Sequence, residues 1–456
     1  MKRRDFLGGI LAAGAAPFLP GCASAKWAPG RKVNLACVGT GCQAWYDIQQ
    51  LHATDLCNVV ALCDADLGAL QTLPALNKFP AARPFKDFRR MFDEMAGEID
   101  AVLVATPDHS HFPACMAALR LGKAVYVEKP LAHTFEECEL LARAAKRSGA
   151  VTQMGNQGHS ESNYFQFRTY VEQGILRARD VKKIVAHMNF GRRWHKWNGV
   201  MPALPPEMPL PVSLNWDVWL GTAAWHDYNR DYVMGDWRCW YDFGNGCLGD
   251  WGAHILDTAH EFFGLGLPHE IAVANVKGHN RHVFPMQDTL TFRFRDFDVE
   301  WWEGRDNLPG VPWKTAKKGG GRGADVPASG SESLWTTKLD PGKEIYLKDG
   351  TAWRGGSHGA ILRRVGAERA KLPEFPESPS THWRNFLLAV MGEEKTRSPF
   401  EVAAPLSQTL CLGCVAQRVN RTIRFDARTG TIPDDPEANA LLRVPPRRGW
   451  EEFYRA

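Results

Sequence analysis

Val33-Asn34-Leu35-Ala36-Cys37-Val38-Gly39-Thr40-Gly41-Cys42-Gln43-Ala44 decides the fold. A run of six residues, five of them apolar, reads as a buried strand of a parallel sheet. It enters G-x-G-x-x-A, and each small residue has a physical task. Gly39 makes the tight turn, Gly41 lets the backbone approach a pyrophosphate, and Ala44 lets the following helix pack on the strand. The helix start then offers N–H groups to the phosphates. Thr40, Cys42 and Gln43 complete this loop as candidate cofactor contacts. A second strand over residues 58–63 ends in Asp64, roughly 20 residues further on, where a carboxylate holds ribose hydroxyls. Ala65 and Asp66 follow it, with no arginine, which favours NAD over NADP because a 2′-phosphate beside Asp64 is repelled.

The same strand, turn and helix pattern continues outward. A strand over residues 101–105 runs into Thr106-Pro107-Asp108-His109-Ser110-His111, and one over 124–127 runs into Glu128-Lys129-Pro130. Both turns lie at carboxyl ends of parallel strands, where ligands bind. Thr106, Pro107, His109, His111, Glu128 and Lys129 are therefore candidate cofactor residues. A helix reaches Ser148, and a last strand leads to Gly155-Asn156-Gln157-Gly158-His159 at the crossing into a second domain. There, residues 181–190, 270–277, 289–294 and 298–302 read as strands, the last two as an antiparallel pair around Arg295-Asp296-Phe297. Helices are expected at 381–390 and 406–420, followed after Asp426 by a polar, Pro-rich tail of a kind that reaches another subunit.

Residues 246–257, G-C-L-G-D-W-G-A-H-I-L-D, set Asp250 and His254 four residues apart, on one face of a helix. A carboxylate orienting an imidazole makes a general base near neutral pH; a hydrogen-bonded histidine in a buried helix start is the structural alternative. Eight of the 17 tryptophans fall between Trp194 and Trp251. Trp240 and Trp251 are candidate stacking surfaces for a sugar ring, although most such tryptophans are core. Arg192, Arg193 and His195 have the chemistry to reach polar substrate groups, and residues 317–323, K-K-G-G-G-R-G, read as a solvated loop.

At 456 residues the chain is long for one core, so two domains are expected. A formal charge of +4 with dispersed Lys and Arg gives no basic stripe for nucleic acid. Lys2-Arg3-Arg4-Asp5-Phe6-Leu7 is a twin-arginine motif before a short apolar run, so residues 1–25 read as an export signal. Cleavage after Ala25, or acylation at Cys22 in the lipobox-like L-P-G-C, are its two outcomes, placing the protein in the periplasm or lipid-anchored at the envelope. No stretch reads as a membrane span. The twin-arginine route carries folded proteins, so a tightly held cofactor is expected. Eleven cysteines scattered through apolar segments read as buried thiols, and Cys411-x-x-Cys414 as core rather than zinc, so no metal is expected.

The G-T-G-C-Q-A loop, Asp64, A-T-P-D-H-S-H, E-K-P and G-D-W-G-A-H-I-L-D together resemble the Gfo/Idh/MocA oxidoreductases, the family of glucose–fructose oxidoreductase and inositol dehydrogenase. The resemblance covers roughly residues 32–425 by order of motifs. It implies an amino-terminal Rossmann domain (32–153) and a carboxyl-terminal α/β domain (154–426) with a large, mostly antiparallel open sheet, then a tail (427–456). It implies Lys129 at the reacting hydroxyl, Asp250 and His254 as the catalytic pair with His254 the base, and Asn156 and His159 as cleft residues, Asn156 toward the cofactor. His109 and His111 would line the nicotinamide side. The implied substrate is a sugar, sugar derivative or cyclitol, and the implied assembly a homo-oligomer. Three functions follow: net NAD-dependent oxidation of a hydroxyl, a redox-neutral glycosidase cycle through transient oxidation, or non-catalytic sugar binding. Export favours a reaction that restores its own cofactor.

Overall fold

β1 (Val33–Val38) lies at the centre of the first domain because both its faces are apolar and covered. The computed structural model describes residues 27–188, 201–233, 235–304, 341–365 and 372–455. Around β1 stand β2 (Cys57–Cys63), β3 (Arg83–Phe85), β4 (Ala101–Val104), β5 (Ala124–Glu128) and β6 (Thr152–Gly155), all parallel, in the order β3-β2-β1-β4-β5-β6. The order reverses between β1 and β4, which opens a crevice at their carboxyl ends. Gly39 fits that point: its φ is +91°, and a Cβ there would collide with the Ala105 carbonyl oxygen. This is the doubly wound Rossmann architecture expected.

The second domain is built on β7 (Val181–Met188), β8 (Glu270–Lys277), β9 (Gln287–Arg293), β10 (Asp298–Glu303), β11 (Gly342–Leu347), β12 (Ala352–Gly356), β13 (Arg363–Val365) and β14 (Ile423–Arg424). Among the described residues they form one sheet, β13-β12-β11-β7-β10-β9-β8-β14, antiparallel except where β7 meets β10. The hairpin expected around Arg295 is there, with Arg293 opposite Asp298. The helix Phe400–Val419 packs on β8 and β9 and on the helix Phe135–Ser148 of the first domain, so one element joins both cores. Cys411 and Cys414 are buried within it, and no group of His, Cys, Asp and Glu among the described residues suits a metal ion. No helix among them is long and apolar enough to cross a membrane.

The tail differs from its sequence reading. It folds back on the first domain of its own chain: Trp450 and Phe453 pack on Phe88, Tyr454 on Phe112, and Arg120 donates to the Glu452 carbonyl at 2.8 Å. Aromatic burial, invisible in a polar average, wins over the segment's polarity. The export signal, Arg192, Arg193, Trp194, His195, Trp197 and residues 317–323 lie outside the described residues.

Candidate active site

The helix Gln43–Ala53 starts at the crevice with no side-chain cap and no acidic residue in its first turn. Its free N–H groups, the bare Gly39 and Gly41 and the exposed Cys42 form a cradle suited to a pyrophosphate. Gln43 does not contribute its side chain, which donates to Asp47 at 3.1 Å. Asp64 accepts from the Thr40 N–H at 3.0 Å, the Thr40 hydroxyl at 3.1 Å and the Asp66 N–H at 3.1 Å. It thus ties the glycine loop to the end of β2. Burial raises its pKa and these donors oppose the shift. Thr106 and Pro107 stand half-buried on the β4 side of the crevice.

His109 and His111 take a different place from the one expected. Both are 1% exposed. His109 Nε2 lies 2.7 Å from the Trp219 carbonyl oxygen and Nδ1 3.1 Å from that of Phe243; His111 faces the Pro130 and Thr106 carbonyls at 2.9 Å each. Burial pushes them down to about 3 and about 4 respectively, so each is a neutral ring donating to one carbonyl. His109 fastens the β4 turn to the second domain, and His111 fastens it to the Pro130 turn after β5, instead of facing a ligand. Glu128 is also engaged inside: its carboxylate accepts from Gln157 at 2.8 Å, and burial raises it to about 7.

Lys129 is placed differently. Its ammonium donates to Asp250 Oδ1 at 2.6 Å and to the Asp250 carbonyl at 3.1 Å, with both side chains 12% exposed. Arg238 Nε stands 3.6 Å from the same carboxylate oxygen. Asp250 lies in a π-helical turn, Leu248–Gly252, which continues as the helix Ala253–Phe262 carrying His254. Such wide turns concentrate at functional sites. The turn is entered through Gly246, at φ +60°, where a Cβ would sit 2.8 Å from the Phe284 ring.

Sequence spacing joined Asp250 to His254, but among the described residues no hydrogen bond links them. His254 is 5% exposed and its Nδ1 has no hydrogen-bond partner. The ring stacks on His358 with centroids 4.0 Å apart and planes 25° apart, and Trp251 meets it edge-on at 6.4 Å. Burial first, then His358 and Lys129, hold its pKa well below the usual histidine value. The residue is a neutral imidazole whose Nδ1 is buried and unpartnered.

Two expected cleft residues stand behind this wall and support it. Asn156 is fully buried and donates to the Ala253 carbonyl at 3.0 Å, fixing the start of the His254 helix. His159 Nδ1 donates to the Arg397 carbonyl at 2.9 Å, while Nε2 lies 3.5 Å from Asp257 on that helix. Trp240 is core: it is 1% exposed, donates to the Asp231 carbonyl at 3.0 Å and packs against Tyr232. Trp251 alone of the two tryptophans remains half-buried at the site. His358 and Arg238 were missed. The only trace of His358 is its S-H-G turn beside a strand, and no local signal connects that turn to residue 254.

Residues 33–156 match the Gfo/Idh/MocA oxidoreductase family's NAD-binding Rossmann fold, and residues 162–298 match its C-terminal alpha/beta domain. A glycosyl hydrolase family 109 protein of Stenotrophomonas maltophilia is 35% identical over 137 residues, covering 28% of this chain and 29% of its own length. Inositol 2-dehydrogenase 2 of Saccharopolyspora erythraea is 30% identical over 175 residues, 38% of this chain and 48% of its own. The matched stretches thus span less than half the length of these curated relatives. The WlbA dehydrogenase from Bordetella pertussis, solved with NADH and UDP-GlcNAcA, shares the fold with a TM-score of 0.57 at 16% identity, over 87% of this chain and 99% of that one.

Proposed function

Because the chain belongs to the Gfo/Idh/MocA oxidoreductase family, we propose that it oxidises a hydroxyl of a sugar, sugar derivative or cyclitol with NAD. The observation that carries this reading is the Lys129–Asp250 ion pair close to the neutral imidazole of His254, whose buried Nδ1 has no hydrogen-bond partner. NAD, held by the Gly39–Gly41 loop and Asp64, supplies the hydride acceptor. Removing hydride from a carbinol carbon makes its hydroxyl acidic, so the site needs a base for the proton and a cation for the developing alkoxide. His254 is the base. Lys129 is the cation, aimed by Asp250, and Trp251 flanks the sugar. Inositol dehydrogenase relatives support this substrate class. The test is appearance of the reduced-nicotinamide absorbance band on adding inositols and a panel of free sugars with NAD. Wild-type protein that binds NAD but reduces none of it overturns net oxidation.

A redox-neutral cycle, in which the hydroxyl is restored after a glycosidic bond is broken, has its own support. A segment of the second domain lies against the turn carrying Asp64: Asn215 N–H donates to the Ala65 carbonyl at 2.8 Å, and Leu214 pairs with Asp66. Arg447 of the tail locks the same segment through Asp217 at 2.6 Å and the Gly221 carbonyl at 3.0 Å. Closure there suits a cofactor that stays with the protein. Glycosyl hydrolase relatives and the twin-arginine motif, which suits export away from a free nicotinamide pool, point the same way. Release of nitrophenol from nitrophenyl glycosides without added NAD supports this cycle. Mass spectrometry of denatured protein that finds no dinucleotide removes the held cofactor.

A further inference from the structure

Trp216, Trp237 and Trp240 of the tryptophan-rich segment are buried, but Trp225 is 59% exposed. It stands on the wall of a solvent-open cavity of about 540 Å³, between Lys86, in the turn after β3, and residues 207–228 of the second domain. Neither the glycine loop nor Asp64 lines it. β3 is the edge strand and Lys129 follows β5, four strand spacings away, which is roughly 19 Å across the sheet. A ligand here is therefore outside the active site. The walls are fixed before any ligand arrives. Trp216 donates from its indole N–H to the His226 carbonyl at 2.8 Å and stacks on Trp219 at 4.7 Å. Tyr228 meets Trp216 edge-on at 5.2 Å, and its carbonyl accepts from the Met208 N–H at 2.8 Å. The Trp225 indole N–H donates to Asp227 at 3.1 Å, and the Arg447 guanidinium lies 5.8 Å from its ring centroid. Asp217 is held by Arg447 at 2.6 Å and faces Arg89 at 3.6 Å. A cavity held open in this way costs a ligand little ordering of the protein.

The lining joins flat aromatic surface to polar groups that have no work elsewhere. Trp225 and Tyr228 supply the rings. Lys86 and Glu207, both exposed, make no side-chain hydrogen bond or ion pair among the described residues. Lys86 stands against Glu207 and Asp227, and Asp217 is offset by its two arginines, so the cavity carries no excess of positive charge with which to collect an anion. A purely apolar ligand would strip water from these charged groups without replacing its hydrogen bonds. A neutral sugar satisfies both parts of the lining. The C–H face of a pyranose lies on an aromatic ring, while its hydroxyls donate to carboxylates and accept from an ammonium. We infer that this cavity is a second carbohydrate site, which holds a stretch of a neutral glycan away from the residues that do the chemistry. Its volume suits about two linked sugar rings, a ligand of the size such cavities enclose. The site needs neither NAD nor His254, and it anchors a glycan longer than the active site itself would grip.

The probes are cellotetraose, maltotetraose, xylotetraose and chitotetraose, titrated calorimetrically into the full-chain protein, with tetragalacturonic acid as the acidic control. Wild type is expected to bind at least one neutral tetramer in preference to the acidic one, with an affinity that added salt leaves unchanged. Trp225→Ala is expected to weaken that binding by at least about tenfold, as truncation of an aromatic anchor does. Glu207→Gln is expected to weaken it by a smaller factor. His254→Gln is expected to bind as wild type does, which separates this cavity from the active site. NADH titration by fluorescence confirms that the variants are folded, and sedimentation velocity is expected to give one assembly state for wild type and Trp225→Ala. Four results overturn the inference: no neutral tetramer bound at millimolar concentration, equal binding by wild type and Trp225→Ala, preference for the acidic tetramer, or loss of binding in His254→Gln. A wild-type assembly that Trp225→Ala breaks into monomers, with no sugar bound by either, gives the surface to a second copy of the chain and overturns it too. All of these leave the oxidoreductase reading standing.

Discussion

The ion pair Lys129–Asp250 is open to a quantitative test by a double-mutant cycle with Lys129→Met, Asp250→Asn and the pair. At 2.6 Å with both side chains 12% exposed, the gross attraction at an effective dielectric of 20 is about 6 kcal/mol. Desolvation of the two charges offsets much of this, so the expected coupling is about 2–3 kcal/mol. Asp250→Asn alone is the harsher change. It removes a charge that faces both Lys129 and Arg238, the latter 3.6 Å away. Asparagine keeps an acceptor for the ammonium, which holds the loss to about 3 kcal/mol, at the low end for breaking a buried pair. For a domain of this size that lowers Tm by roughly 6–12 °C. Urea unfolding of the four proteins gives the coupling. A value below about 0.5 kcal/mol, typical of exposed pairs, refutes the argument that a buried anion holds Lys129 in place. Turnover gives a second reading, since a cation displaced by about 1 Å costs on the order of a hundredfold.

Three further outcomes follow from the geometry. Gly39→Ala, forced to φ +91° against the Ala105 carbonyl, should lose at least about 1–2 kcal/mol of stability and weaken NADH binding measured by fluorescence titration; unchanged binding removes Gly39 from the cradle. His254, its pKa held well below 6.5, stays neutral as pH falls through the ordinary histidine range, so kcat/KM should hold its plateau there and decline only at lower pH. An acid limb at or above about 6.5 contradicts this, and His254→Gln should cost about 10²–10⁴ in turnover. Trp240→Ala should destabilise by about 3–5 kcal/mol through the cavity it leaves, while Trp251→Ala should raise KM with a smaller change in melting temperature; the reverse pattern would exchange their roles.

The Rossmann half was legible because its signals are local. Glycine punctuation, strand-length apolar runs and the carboxylate after β2 each act within a few residues of the backbone they shape. The β9–β10 hairpin was legible for the same reason, its turn lying between the strands it joins. Burial of polar groups was not. His109 and His111 stand where ligands bind in parallel sheets, yet their partners, Trp219, Phe243 and Pro130, arrive from other parts of the chain. His358 meets His254 across more than a hundred residues, and Trp450 meets Phe88 across more than three hundred. Contacts at such separation are set by domain packing, and a motif scan has no access to them.

The Asp-x-x-x-His spacing predicts a carboxylate–imidazole contact that the fold revises. In a regular helix it would stack carboxylate on imidazole, and the carboxylate would favour the imidazolium. That arrangement raises the proton affinity of the base and leaves Lys129 without its anion. The π turn at Leu248–Gly252 breaks the regular register between the two side chains. Asp250 is given to Lys129, whose charge it holds in place, and His254 is left neutral with Nδ1 unpartnered. Alcohol oxidation asks for this separation: a fixed cation where the alkoxide forms and an uncharged base where the proton leaves. Restoring a regular helix by deleting one residue from the turn should therefore bring Asp250 toward His254, raise the acid limb of kcat/KM into the ordinary histidine range and lower the plateau. Lower activity with the acid limb unmoved would mean that the turn shapes the cleft without dividing these two charges.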